Sequence, residues 1–324
     1  MNYVTLFPGG PEVSKLCLGG GQFGARLSRE EARGQLDLFF DRGGNFVDTA
    51  RVYADWIPGG HGASELTIGA WLKDRKLRDR MVISTKGAHP DLKTMHIPRM
   101  DPADIRSDLE ESLRALGTDY IDLYFLHRDD PSRPAGEILQ TLESFRKEGK
   151  IRSYGCSNWK LERIEEAGRA AAGLGCEGFV CNQIRWGLAD LNTQAISDKT
   201  LVVMDKEIYA FHRRTKKAVM AYTSSSGGYF SKRLREQPLS PSARAVYDNE
   251  PNRILLEKLR GWEKELGRAA AVLVSAYVMN QDFPAVPIAS FSSAGQLEET
   301  LPAADLVLPP ELLEEIRSIK RFTC

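Results

Sequence analysis

Eight short apolar runs recur along the chain, near 16–19, 45–48, 81–86, 121–126, 152–156, 179–182, 217–221 and 285–288, each bounded by turn or charged residues. Such runs read as strands buried on both faces, the pattern of a parallel sheet with covered faces. Between them the apolar spacing turns helical over 29–42, 64–72, 102–116, 135–148, 160–172 and 204–214, with one or two helices inside 252–280 and a last one at 310–318. Ser28 followed by Glu31 reads as a capping box for the first helix, and Asp101 before Pro102 supplies an N-cap and an N1 proline for the third. Eight strands alternating with helices over 324 residues predict an α/β chain folded as a single (β/α)8 TIM barrel spanning 1–324, with a doubly wound sheet as the competitor. Runs at 3–7 and 13–15 flank the turn at 8–11 and predict a short N-terminal β-hairpin ahead of the barrel.

Lys plus Arg number 44 and Asp plus Glu number 44, so no net field attracts nucleic acid or an anionic membrane, and neither is expected as a partner. No stretch reaches the length needed to span a bilayer, and the first ten residues carry no basic segment followed by an apolar run. Cysteines at 17, 156, 176, 181 and 324 lack paired metal-ligand spacing. Reduced thiols in a cytoplasm, with no metal, are the expectation.

Gly19 to Gly24 (GGGQFG) matches G-x-G-x-x-G between a strand and a helix, the dinucleotide fingerprint of a Rossmann fold. That fingerprint sets its third glycine at the tight start of the helix. Here the capping signal is Ser28, four residues beyond Gly24, and the loop is too long for the role. It reads better as a glycine-rich first loop that lets backbone approach a ligand, or as a plain turn. The stretches 189–203 and 234–251 exceed ordinary βα loops and are candidate lids or substrate walls.

Asp48 ends the second run, Lys86 the third and His127 the fourth, while Tyr53 follows Asp48 by five residues. Barrel active sites form at the C-terminal strand ends, so three neighbouring strands deliver these groups to one pocket. Each alone has an ordinary reading, as a cap, a solvated charge, a buried histidine or a core tyrosine. Together they make chemical sense. A phenol titrates near 10, and an adjacent ammonium is expected to lower that value. Lys86 supplies the ammonium, Asp48 keeps it charged, and His127 can hydrogen-bond a substrate oxygen. Carbonyl reduction needs this set, with the reductant brought by a cofactor.

Over nearly its whole length the chain resembles the aldo-keto reductases. The resemblance is carried by 16–24, 48–53 (DTARVY), 62–69 (GASELTIG), 84–87 (STKG), 119–127 (DYIDLYFLH), 155–158 (GCSN) and Asn182 with Gln183. It implies an NAD(P)H-dependent oxidoreductase that reversibly reduces an aldehyde or ketone to an alcohol. Tyr53 is then the proton donor, Asp48 and Lys86 its tuning pair, and His127 the carbonyl-orienting group. For the cofactor it implies Gly20 and Gly21 in the first loop, with Asp48 nearby; Ser157, Asn158 and Gln183 at the nicotinamide carboxamide; and Tyr222 stacked on the ring. The loop after it, with Thr223, Ser224 and Lys232, is expected at the pyrophosphate, and Ser292, Gln296 and Glu299 at the adenosine.

The match weakens in two places. Residues 221–232 form a serine-rich loop where many relatives have proline and leucine, and 287–300 lacks the cation many relatives set against a 2′-phosphate. NADP(H) is favoured by family habit, and NAD(H) stays open. Phe23, Trp56 and Trp186 are candidate pocket walls or core residues, and Arg51, Arg128 and Arg185 lie close to the motifs. The expected partner is a small-molecule carbonyl or alcohol; oligomeric state is not legible. The alternative function is a nucleotide-sensing regulatory subunit of the same fold with little turnover.

Overall fold

The computed structural model describes residues 1–322. Two short strands, β1 (Tyr3–Thr5) and β2 (Glu12–Ser14), pair antiparallel as the predicted hairpin. The other eight are β3 (Cys17–Gly19), β4 (Phe46–Asp48), β5 (Val82–Gly87), β6 (Ile121–Leu126), β7 (Ile151–Ser157), β8 (Cys181–Arg185), β9 (Ala218–Tyr222) and β10 (Ala285–Ala289). They run parallel in sequence order, and β10 closes on β3. The doubly wound alternative is excluded by that closure.

Alternation along each strand builds two cores. Inward residues such as Cys17, Phe46, Phe125, Cys181, Met220 and Val286 fill the barrel, and Leu6 and Val13 of the hairpin pack into the same cluster. Ser14 and Asn45 tie hairpin to barrel, the Ser14 N–H donating to Asn45 Oδ1 at 2.7 Å. Outward residues meet the helices. In the helix Arg29–Asp41, Ala32, Gln35, Leu36 and Phe39 recur at helical spacing and are buried, and Ser28 with Glu31 forms the expected capping box. Burying a leucine there contributes about 2 kcal/mol.

The predicted helices are present with ends shifted by up to three residues, and the 252–280 region divides into Glu250–Leu266 and Ala270–Met279. Asp101 sits at the N-cap but its side chain makes no cap bond; its carboxylate pairs with Arg133. Three short helices, Tyr229–Leu234, Pro241–Tyr247 and Ala294–Thr300, lie where no helix was expected. Cys17, Cys156, Cys176 and Cys181 are unpaired among the described residues, and Cys324 lies outside them. Among the described residues no helix is long and apolar enough to cross a membrane, and no cluster of His, Cys, Asp or Glu could hold a metal.

Candidate active site

Asp48 is the last residue of β4, Lys86 the penultimate one of β5, and His127 the first after β6. Tyr53 returns over the mouth because the loop after β4 is pinned to the next strand, the Arg51 N–H donating to the Lys86 carbonyl at 3.0 Å. The four side chains meet. Lys86 Nζ donates to Asp48 Oδ2 at 2.7 Å, to the Thr49 carbonyl at 2.6 Å and to Tyr53 Oη at 3.1 Å. These bonds use all three ammonium protons, and because lysine is the donor to Tyr53, the phenol keeps its own proton for another acceptor. Asp48 Oδ1 accepts from Ser84 Oγ at 2.8 Å and from Gln183 Nε2 at 2.9 Å. Both charged side chains are 1 % exposed, a burial tolerable only with pairing this complete.

Burial works against the Lys86 ammonium, but Asp48 and Tyr53 beside it more than offset this and hold it above lysine's ordinary value. For Tyr53 the balance goes the other way. Burial pushes the phenol up, the Lys86 ammonium pulls it down, and burial prevails, leaving it above tyrosine's ordinary value. The expectation of a lowered phenol is therefore overturned. Desolvating a phenolate outweighs attraction to an ammonium that Asp48 already neutralises, so Lys86 limits the rise and does not reverse it.

His127 is held well below histidine's ordinary value, first by burial and then by Arg128, His89 and Lys86, and is neutral at physiological pH. Its ring stands edge-on to Tyr53 at 6.0 Å and to His89 at 4.8 Å. Nδ1 is buried without a hydrogen-bond partner among the described residues. A proton on Nε2 avoids burying an unpaired N–H there.

Asp48, Tyr53 and His127 open onto a central cavity of about 350 Å³. Of the residues expected at a cofactor, Gly21, Asp48, Ser157, Asn158, Gln183, Tyr222 and Thr223 line it; Gly20, Ser224, Lys232, Ser292, Gln296 and Glu299 do not. Gly20 has a packing reason, since a Cβ there would come within 2.8 Å of Ser64 Oγ. Ser224 is turned inward, donating to the Ile288 carbonyl at 3.1 Å. The Ser292 N–H donates to Gln296 Oε1 at 3.0 Å, and Glu299 accepts from Arg235 at 2.5 Å, both on the exposed start and flank of Ala294–Thr300. Lys232 lies on Tyr229–Leu234.

The candidate pocket walls fare differently. Phe23 and Trp186 are buried in the outer core, at 1 % and 3 % exposure, away from the cavity. Pleat explains Trp186: Gln183 points inward, so a residue three positions on points out, where it stacks on Phe283. Phe23 is tucked under when its N–H bonds the Gly20 carbonyl. Trp56 is 54 % exposed with its edge toward Tyr53, outside the lining. Arg51 braces loops through Asp55, Asp108 and Glu111. Of the two long segments, 189–203 contributes Leu201 to the cavity. The other, 234–251, lies outside the lining and buttresses the first, with Asn192 bonded to Val246 and Ala245.

The cavity suits a nicotinamide. A Cβ built on Gly21 would have the Tyr53 ring as its nearest neighbour, at 3.7 Å, so this glycine lines the cavity directly beside the phenol. Ser157 and Gln183 bring a hydroxyl and an amide to the lining, and Tyr222 brings an aromatic ring. Asn158 is engaged within the protein: its amide donates to the His127 carbonyl and Ser157 Oγ and accepts from Tyr222 Oη at 2.6 Å and from the Val202 N–H.

A model of the aldo/keto reductase family matches residues 15–321. The chain belongs to that family. Among curated relatives it is 29% identical to the uncharacterized oxidoreductase YrpG of Bacillus subtilis, over 98% of this chain and 96% of that protein. It is 26% identical to the aryl-alcohol dehydrogenase [NADP(+)] of Phanerodontia chrysosporium, over 98% and 85%. The crystal structure of an aldo/keto reductase from Klebsiella pneumoniae in complex with NADP and acetate superposes with a TM-score of 0.71 at 25% identity, covering 98% of this chain and 95% of that one. In this aldo/keto reductase, sequence reasoning missed Gln22, Leu201, Ser225, Ile288 and Ser290 in the lining, and left Arg128 among unassigned neighbours. Arg128 had a signal, being next to His127. Ser290 lies in the 287–300 segment without having been singled out, and barrel closure brings its hydroxyl to the Gly19 carbonyl at 2.9 Å.

Proposed function

We propose that this aldo/keto reductase reduces an aldehyde or ketone to the alcohol, reversibly, with Tyr53 giving the proton. The observation that carries the reading is the direction of the Lys86 to Tyr53 bond: with every ammonium proton engaged, the phenol proton is free for a carbonyl oxygen in the cavity. A nicotinamide cofactor, held by Gly21, Ser157, Gln183 and Tyr222, supplies a hydride to the carbonyl carbon when bound. Neutral His127 donates from Nε2 to the same oxygen and orients it. As charge develops there, Tyr53 releases its proton, and the Lys86 ammonium stabilises the phenolate left behind. Asp48 keeps that ammonium charged, and Gln183 and Ser84 keep Asp48 in position. A phenol raised by burial remains a full acid at neutral pH and still transfers readily to an alkoxide, a far stronger base.

NADPH is the cofactor we favour. Two relatives are described with NADP, and Arg235, though paired with Glu299, brings a guanidinium beside the segment 287–300. The test is Tyr53→Phe, assayed against aryl aldehydes with NADPH. Turnover falls by roughly two to four orders of magnitude while NADPH affinity, followed by fluorescence titration, stays within about twofold. Retained turnover refutes the assignment.

A further inference from the structure

A second cavity of about 370 Å³ lies beside the central one, between the loops that follow β5, β6, β7 and β8. Pro90, Met95, Pro98, Pro131, Leu201 and Val202 give it apolar walls, with His96, Asp129 and Thr200 among its polar edges. Arg128, Asn158 and Leu201 border both cavities. Arg128 is buried and clasped, its Nε donating to Thr200 at 2.8 Å, one terminal nitrogen to the His127 carbonyl at 2.9 Å and the other to Asp198 at 3.0 Å. That clasp fixes 198–202 as the shared border. Lys160 and Lys199 also line it, both exposed, with Lys199 Nζ donating one proton to the Gln194 carbonyl at 3.0 Å. Of the charged side chains lining the cavity, Asp129 pairs with Arg163 at 3.0 Å and Arg128 with Asp198, which leaves Lys160 and Lys199 as the two without a carboxylate partner among the described residues.

We propose that this second cavity is the distal part of the substrate site and selects carbonyl compounds with an apolar aromatic body ending in an anionic group. The inference rests on the reductase reading. A central cavity of about 350 Å³ that also receives a nicotinamide leaves room for the carbonyl and little beyond one ring, so a larger body must pass the border at Leu201. Apolar walls take the aromatic body, and Lys160 and Lys199 face its carboxylate. Water reaching both lysines keeps that attraction modest and salt-sensitive.

The test compares benzaldehyde, biphenyl carboxaldehyde and a formyl-biphenyl carboxylate as substrates, and measures equilibrium binding of unreactive biphenyl carboxylate. Met95→Trp fills the second cavity. It is expected to lower kcat/KM for both biphenyl aldehydes by about tenfold or more, leave benzaldehyde within about twofold, and weaken biphenyl carboxylate binding in parallel. Reversing both rim charges (Lys160→Glu with Lys199→Glu) is expected to cost the carboxylated aldehyde a factor of about three to ten and the neutral one almost nothing. Equal losses on all three aldehydes, or none, overturn the proposal, as does wild-type protein that fails to bind biphenyl carboxylate. If no aldehyde turns over but binding persists and is lost in Met95→Trp, the reductase reading falls and the anion-selective apolar site stands.

Discussion

The two ends of the proposed site handle charge in opposite ways. At the β4–β6 corner, Asp48 and Lys86 are almost wholly buried and every polar hydrogen of the ammonium has a partner within 3.1 Å. At the flank we propose for the adenosine, Arg235 and Glu299 pair in the open, at 54 % and 33 % side-chain exposure. In the first region low dielectric magnifies each interaction and makes a missing partner costly. In the second, water and salt screen the pair, and its contribution is near the noise of stability measurements. Proton chemistry belongs where charges are dry and fixed; a long cofactor's far end can be gripped loosely.

This contrast can be broken at its strong end first. Asp48→Ala strands the buried Lys86 ammonium and is expected to cost about 3–5 kcal/mol of folding stability, read from denaturant unfolding, together with most activity. An unchanged unfolding midpoint would mean the corner is wetter than the structure has it. Gln183→Leu removes one donor from Asp48 and leaves the rest, so an intermediate loss of about 1.5–3 kcal/mol is expected, with kcat affected along with KM. A pure KM effect would instead tie Gln183 to cofactor binding alone. Arg235→Ala tests the weak end: NADPH affinity is expected to fall by less than about fivefold, and raising ionic strength should erase the difference. A hundredfold loss would make that flank as critical as the corner.

The pH profile sharpens the same comparison with the smallest expected change. His127 is shifted down, so it is neutral above its folded value and gives no limb near 6.5; Tyr53 is shifted up, so it stays protonated until the medium is strongly basic. Reduction measured as kcat/KM is expected to be flat from about pH 6 to 9 and to decline only beyond. A limb near neutrality would show that one of the two groups is solvated during turnover.

Reading the barrel from sequence worked because its strands are short, apolar and separated by strong helical periods with caps such as Ser28 and Glu31. It failed for Tyr229–Leu234, Pro241–Tyr247 and Ala294–Thr300, six or seven residues each, too brief for an apolar period to register. In the site, strand ends pointed to Asp48, Lys86 and His127, whereas Phe23 and Trp186 stayed open between pocket wall and core, since an aromatic beside a motif looks alike whether it faces ligand or core.

Local sequence is enough for the eightfold alternation and for which side chains stand at the strand ends, because periodicity and chain order are properties of a few neighbouring residues. Closure of β10 on β3, the reach of Gln183 across the barrel to Asp48, the Arg128 clasp on 198–202 and the sign of the Tyr53 shift are decided in three dimensions. Each depends on contacts between residues tens to hundreds of positions apart and on how much water those contacts exclude, and no short window of residues carries either quantity.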